Sequence, residues 1–161
     1  MSKYKPNLRV FKPKKRVAIA GQHELLVDSM GSDGRGITKH KGKTVFVSGA
    51  LPGELAVVRF LSSRKKYDEA EAVRIVMPSA SRVEPTCEYF GQCGGCNLQH
   101  YDYAQQVAFK QRYLETLFSN LDKKQSTRIE WTDAVIDDSY YYRHRIRMAV
   151  YAKGQFFTMG Y

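Results

Sequence analysis

Neither end of the sequence contains an acidic residue. Met1 to Arg16 has no Asp or Glu beside the bases Lys3, Lys5, Arg9, Lys12, Lys14, Lys15 and Arg16, and Ser139 to Tyr161 has none beside Arg143, Arg145, Arg147 and Lys153. No run of about 18 apolar residues exists, which argues against a membrane partner, and the first residues lack the apolar stretch of a secretory signal. A soluble, cytoplasmic protein is expected. Cysteine is scarce, three in 161 residues, all between positions 87 and 96. Free thiols, or one disulfide with a cysteine left over, are the plain readings, and an intracellular setting disfavours the disulfide. With 43% apolar and 26% charged residues, the composition excludes disorder throughout and a collagen-like chain.

The net charge of +10 arises wholly from the acid-free ends, since the intervening residues nearly balance. Segregated positive charge is what phosphate backbones attract, so RNA is the expected partner. Residues 1–15, with Pro6 and Pro13 and little apolar content, read as a basic disordered arm. From 16 to 78 short apolar or alternating runs predict strands at Leu25–Val27, Gly36–His40, Thr44–Val47, Glu54–Leu61 and Ala70–Val76. Turn signals at Gly31-Ser32-Asp33-Gly34, Lys41-Gly42-Lys43 and Leu51-Pro52-Gly53-Glu54 separate them. Five short strands in about 60 residues suit a small oligonucleotide-binding (OB) type of barrel. Residues 79–97 read as an irregular loop held by a ligand. Residues 98–124 turn helical, with Tyr103, Val107, Leu114, Leu117, Phe118 and Leu121 in one stripe. Trp131–Ile136 is a candidate strand, and Tyr142–Tyr151 followed by Phe156–Tyr161 reads as a β-hairpin. The fold class is α+β. Because the sequence stops inside this second strand, a longer protein is expected.

Cys87, Cys93 and Cys96 lie within ten residues, and Gly94-Gly95 lets the loop fold tightly enough for two thiolates to face one centre. Metal or cluster binding is the sharper reading of this spacing. Structural zinc takes four ligands, and His100 would complete a three-cysteine, one-histidine set. An iron–sulfur cluster normally takes four thiolates, and a fourth cysteine is absent from the sequence. Spacing alone favours zinc.

The run Arg82-Val83-Glu84-Pro85-Thr86-Cys87, then Phe90-Gly91-Gln92-Cys93-Gly94-Gly95-Cys96-Asn97-Leu98-Gln99-His100, with Tyr103, Gln106 and Lys110 following, resembles the N-terminal half of the RNA uracil-C5 methyltransferases, and most of all the bacterial large-subunit rRNA enzymes. Upstream, Asp33-Gly34-x-Gly36, Gly42-Lys43-x-Val45-Phe46-Val47, Gly49-Ala50-Leu51-Pro52-Gly53-Glu54 and Tyr67-x-Glu69-Ala70 are similar to their TRAM domain. The resemblance makes residues 16–78 that OB-like barrel and 125–161 the start of the family's central RNA-binding β domain. It implies that Cys87, Cys93 and Cys96 hold a [4Fe-4S] cluster with a fourth cysteine beyond Tyr161, which ranks iron–sulfur above zinc. It also implies a catalytic domain, absent here, that binds S-adenosylmethionine and against which the helix packs. The chain alone is then expected to be inactive, and its exposed stripe to favour self-association. The alternative is a stand-alone RNA-binding module with a Cys3His zinc site and no catalysis.

Two sets of residues are candidates for RNA contact. Arg64, Lys65, Lys66 and Tyr67 should occupy the loop before the last barrel strand, where OB barrels meet their ligands. Arg143, Arg145 and Arg147 would share one face of a strand at about 6 to 7 Å spacing, near that of phosphates on an extended strand. Tyr140, Tyr141 and Tyr142 could stack bases or pack in an interface. Gly31-x-x-Gly34-x-Gly36 precedes no convincing helix and reads as a turn between strands, not as a cofactor loop. His23, His40 and His144 stand alone and read as structural or surface residues.

Overall fold

The computed structural model describes residues 21–125, 129–153 and 156–160. The basic arm lies outside the described residues. The elements are β1 (Gln22–Leu26), β2 (Ser29–Met30), β3 (Gly36–His40), β4 (Lys43–Ser48), β5 (Leu55–Ser63), β6 (Tyr67–Met77), α1 (Tyr103–Gln125), β7 (Ala149–Lys153) and β8 (Phe156–Gly160). The first six form one mixed sheet in the order β1-β5-β6-β4-β3-β2, in which β4 and β6 run parallel and the other pairs antiparallel. The described residues are thus mostly sheet with one helix. No described helix is long and apolar enough to cross a membrane.

A six-stranded mixed sheet replaces the expected five-stranded barrel, and the sixth strand arises because the first run changes partner halfway. Val27 N–H donates to Glu54 O at 2.9 Å, whereas Asp28 N–H donates to Ile37 O at 2.9 Å. β1 therefore pairs with β5 and β2 with β3, and one run of nine residues supplies both edge strands. Gly36, at the start of β3, permits this approach: a Cβ there would lie 2.7 Å from Val27 Cγ1 and 3.0 Å from Ala50 O.

Strand alternation builds the core. Val45 and Val47 of β4 and Ala56, Val58 and Phe60 of β5 face inward with Leu25, Val27 and Ala70, each larger side chain contributing about 1.5–3 kcal/mol of burial. A second cluster, Met30, Leu51 and Tyr101 with Leu98 and Phe109 against it, ties the start of α1 to the sheet.

The helix begins at Tyr103, later than the expected 98. Leu98–Tyr101 form a turn closed by Tyr101 N–H on Leu98 O at 3.0 Å. Asp102 then caps α1, its carboxylate accepting from Gln105 N–H at 3.1 Å and its carbonyl from Gln106 N–H at 2.9 Å. Tyr103 in the first turn is exposed, and beyond Phe109 the helix has little cover: Tyr113, Leu114, Leu117 and Phe118 are all exposed.

Trp131–Ile136 is not a strand. This segment runs back along α1, with Trp131 edge-on to Phe118 at 6.0 Å and Asp137 O accepting from the Tyr103 hydroxyl at 2.8 Å. β7 and β8 form the expected hairpin, but β7 starts at Ala149 instead of Tyr142. Its register begins at Ala149 opposite Gly160, and among the described residues no strand pairs with residues 142–148. Alternation without a backbone partner does not make a strand.

Candidate nucleic-acid interface and cysteine loop

β5 and β6 meet in a tight turn in which Arg64 N–H donates to Tyr67 O at 2.8 Å. Arg64, Lys65 and Lys66 are exposed there, and no acid of the described residues lies within ion-pair distance of them. Tyr67 is half-buried because its ring meets Phe46 edge-on at 5.5 Å. The guanidinium of Arg35 covers Phe46, 4.7 Å from the ring centroid. Asp33 holds Arg35 by accepting from its Nε at 2.7 Å and from its backbone N–H at 3.1 Å. Burial pushes the Asp33 carboxyl up, but these Arg35 hydrogen bonds outweigh it and leave the group below the usual carboxylate value. The sequence marks Phe46 only as part of the TRAM-like motif Gly42–Val47, and gives Arg35 no role. The outward parity of β4, with Val45 and Val47 facing in, was the available signal for Phe46.

Arg143, Arg145 and Arg147 do not share the face of a strand. They lie in the unpaired segment before β7, all exposed, with Arg143 stacked on Tyr142 at 5.7 Å. Tyr140 accepts from the Thr86 hydroxyl at 3.0 Å, and Tyr141, wholly exposed, has a left-handed φ of 60°. His23 and His40 pack on Phe60 and on each other, ring centroids 4.9 to 5.6 Å apart, and His144 is exposed. Gly31–Gly36 forms the turn from β2 into β3, closed by Gly34 N–H on Gly31 O at 2.9 Å. At Gly34 φ is +81° and a Cβ would meet Leu98 Cδ2 at 3.0 Å, so a left-handed backbone and close packing both require glycine.

The cysteine segment is anchored to the sheet by one buried ion pair. Glu54 is fully buried, and Arg82 donates to it from Nε at 2.6 Å and from the terminal guanidinium at 2.8 Å. Leu51 and Ser79 N–H complete the carboxylate's shell at 2.8 and 3.1 Å. Burial raises the Glu54 carboxyl, and these hydrogen bonds, that to Arg82 foremost, bring it below its ordinary value. Arg82 also donates to Gly49 O at 2.8 Å.

Cys87, Cys93 and Cys96 are free thiols, two exposed and Cys93 half-exposed. The loop turns through Phe90 N–H on Cys87 O at 3.0 Å, Cys93 N–H on Tyr89 O at 2.9 Å and the left-handed Gly91. Among the described residues no three His, Cys, Asp or Glu side chains are gathered closely enough to hold a metal ion. As donors, three unpaired thiols on one loop fit an iron–sulfur or zinc site in kind. In number they fall one short, and they are not gathered on one centre. His100 is buried beside Phe90, ring centroids 5.2 Å apart, with both imidazole nitrogens unpartnered. Burial, then the Arg82 cation, push its pKa down to about 4.

A cleft of about 350 Å³ separates the β2–β3 turn and Ser48-Gly49 from the loop. Cys93 and Cys96 line it; Cys87 does not.

Comparison with known proteins places residues 22–73 in the TRAM domain family. The chain is 43% identical over 125 residues to the 23S rRNA (uracil(1939)-C(5))-methyltransferase of Azoarcus sp. (strain BH72), covering 78% of this chain and 28% of the relative. It is 36% identical over 144 residues to the enzyme of that name from Vibrio campbellii, covering 89% and 32%. For the Neisseria lactamica enzyme it is 43% over 124 residues, covering 77% and 27%. The chain thus carries a TRAM domain and is homologous to these methyltransferases over most of its own length, while spanning about a third or less of theirs.

Proposed function

We propose that this TRAM-bearing chain is the RNA-binding, N-terminal part of an S-adenosylmethionine-dependent 23S rRNA uracil-C5 methyltransferase. The observation that supports this most directly is the exposed, acid-free turn Arg64-Lys65-Lys66 beside the half-buried ring of Tyr67. It stands at the connection where OB-type folds meet oligonucleotides. Phosphates pair with the cations, and a base has an aromatic surface within reach. Arg143, Arg145 and Arg147 add exposed cations, here on an unpaired segment able to adapt to a strand. The methyl donor, the nucleophile that adds to uracil C6 and the proton-abstracting base belong to a catalytic domain outside this chain. The exposed face of α1 packs on that domain, or on a second copy when the chain is alone.

In this reading Cys87, Cys93 and Cys96 supply three of the four thiolates of a [4Fe-4S] cluster. Bound there, the cluster cross-links the loop. The zinc alternative with His100 as fourth ligand is disfavoured, because His100 would have to leave a core in which it is 2% exposed. Protein purified without oxygen is expected to contain iron and acid-labile sulfide and to be brown. One zinc per chain, without iron, would favour the alternative.

Binding of a labelled single-stranded RNA to the chain should be strongly salt-dependent. Five phosphate contacts correspond to a loss of affinity of about a hundredfold between about 50 and 200 mM salt. Fluorescence anisotropy measures it, and an affinity flat in salt would refute phosphate-driven binding.

A further inference from the structure

The outer face of β3, β4 and β6 carries more than the turn at Arg64–Lys66. The registers set Lys39, Thr44 and Tyr67 side by side in one row, and Ile37, Phe46 and Glu69 in the next. Val45 and Val47 alternate with these residues into the core, which fixes the rows as outward. Lys39 is exposed and, like the turn, has no acid within ion-pair distance among the described residues. Cations thus flank a half-exposed aromatic pair. Arg35 lies at the far edge of this surface. Its guanidinium is held against Phe46 by Asp33 and Glu69, at 2.7 and 3.5 Å, and it also lines the cleft beside the cysteine loop. Surface and cleft are therefore continuous through one oriented side chain.

The chemistry changes along this path. Near Tyr67 there are cations and a ring, suited to backbone phosphate and a stacked base. Inside the cleft, Asp33, Gln92 and Asn97 offer acceptors and donors, and Phe90 offers a ring. An ionised carboxylate repels phosphate but accepts from the amino and imino groups of a base edge. Resting on the RNA-binding reading above, we propose that a single RNA strand crosses the β3-β4-β6 face, stacks one base on Tyr67, and turns a neighbouring base into the cleft against Cys93 and Cys96. The cysteine loop then forms one wall of the RNA site. An acidic peptide could satisfy the cations, but it would have no use for the aromatic surface or for Asp33.

The test uses the metal-free, reduced chain with a short oligouridylate, and follows alkylation of each cysteine by N-ethylmaleimide with mass spectrometry. With RNA at about ten times its Kd, Cys93 and Cys96 are expected to react about tenfold more slowly, while Cys87, outside the cleft, keeps its rate. Tyr67→Leu, checked by circular dichroism for an unchanged fold, should weaken RNA binding about tenfold. RNA binding with Cys93 and Cys96 unprotected, or with all three cysteines slowed alike, would overturn the inference and leave the RNA-binding reading standing. An acidic peptide that protects Cys93 and Cys96 as well as the RNA does would also overturn it. Absence of any RNA binding would overturn both.

Discussion

Arg82→Met is expected to destabilise the fold by about 3–5 kcal/mol, because it strips the cation from a carboxylate that remains buried. Glu54 is fully buried, and two of its hydrogen bonds, at 2.6 and 2.8 Å, come from Arg82. Small domains have only about 5–15 kcal/mol in total, so the loss takes a large share of the stability. Urea denaturation followed by circular dichroism measures it. The double variant Glu54→Met with Arg82→Met removes both charges and should recover most of the deficit, since replacing a buried pair with apolar side chains is often near neutral. A loss below about 1 kcal/mol for the single variant would mean that the pair is a solvated contact and not an anchor. The consequence reaches the proposed RNA site. Arg82 starts the segment that leads to Cys87, and it also holds Gly49, a wall of the cleft. The single variant should therefore loosen the loop as well as the sheet.

The second large effect is a loss of stability in mild acid that belongs to His100. The imidazole is almost wholly buried, and burial first, then the Arg82 cation, lower its pKa from 6.5 to about 4, with Glu54 pulling the other way. In the unfolded chain the group takes up a proton near pH 6.5; in the folded chain it stays neutral until about pH 4. Between these values the unfolded state binds more protons, so stability is full above pH 6.5 and falls as pH drops toward 4, by about 3 kcal/mol. Glu54 extends the loss below its unfolded pKa of 4.5, because its folded pKa is lowered. Unfolding free energies measured from pH 7 to 4 should show this slope. His100→Phe should remove most of it, leaving the smaller share of His40, which burial and the neighbouring His23 and Lys41 also lower, and that of Glu54 at the acid end. An unchanged slope in His100→Phe would show that the imidazole reaches water. The variant should also be no less stable than the parent at pH 7, since it replaces two unpartnered buried nitrogens with a ring that needs no hydrogen bonds.

Much of this was legible in the sequence because it rests on local rules. β3 occupies the expected span, Gly36–His40, because the β-branched pair Ile37-Thr38 and the glycines around it act within a few residues. The Gly31–Gly36 turn follows from its left-handed glycine and the strand after it. The cap at Asp102 has a local signal too, an acid three residues before Gln105, whereas apolar periodicity alone starts the helix at Leu98. Leu98 opens the expected helix, yet it packs against the sheet with Met30 and Leu51. The expected strand carrying Arg143, Arg145 and Arg147 failed for the complementary reason, since alternation is a property of side chains whereas a strand needs a backbone partner.

The sequence by itself determined the charge segregation, the spacing of the three thiols and the alternation that makes a small sheet with a following helix, because each depends on residues close together in the chain. Tertiary structure alone decided that Glu54 meets Arg82 across 28 positions, that Arg35 stacks on Phe46, and that the cysteine loop faces the β2–β3 turn across a cleft. Those pairings need the handover of the first strand from β5 to β3 and the burial of Leu51 and Tyr101. They arise from closing long loops around a shared core, and no local periodicity encodes which distant side chains such a closure brings together.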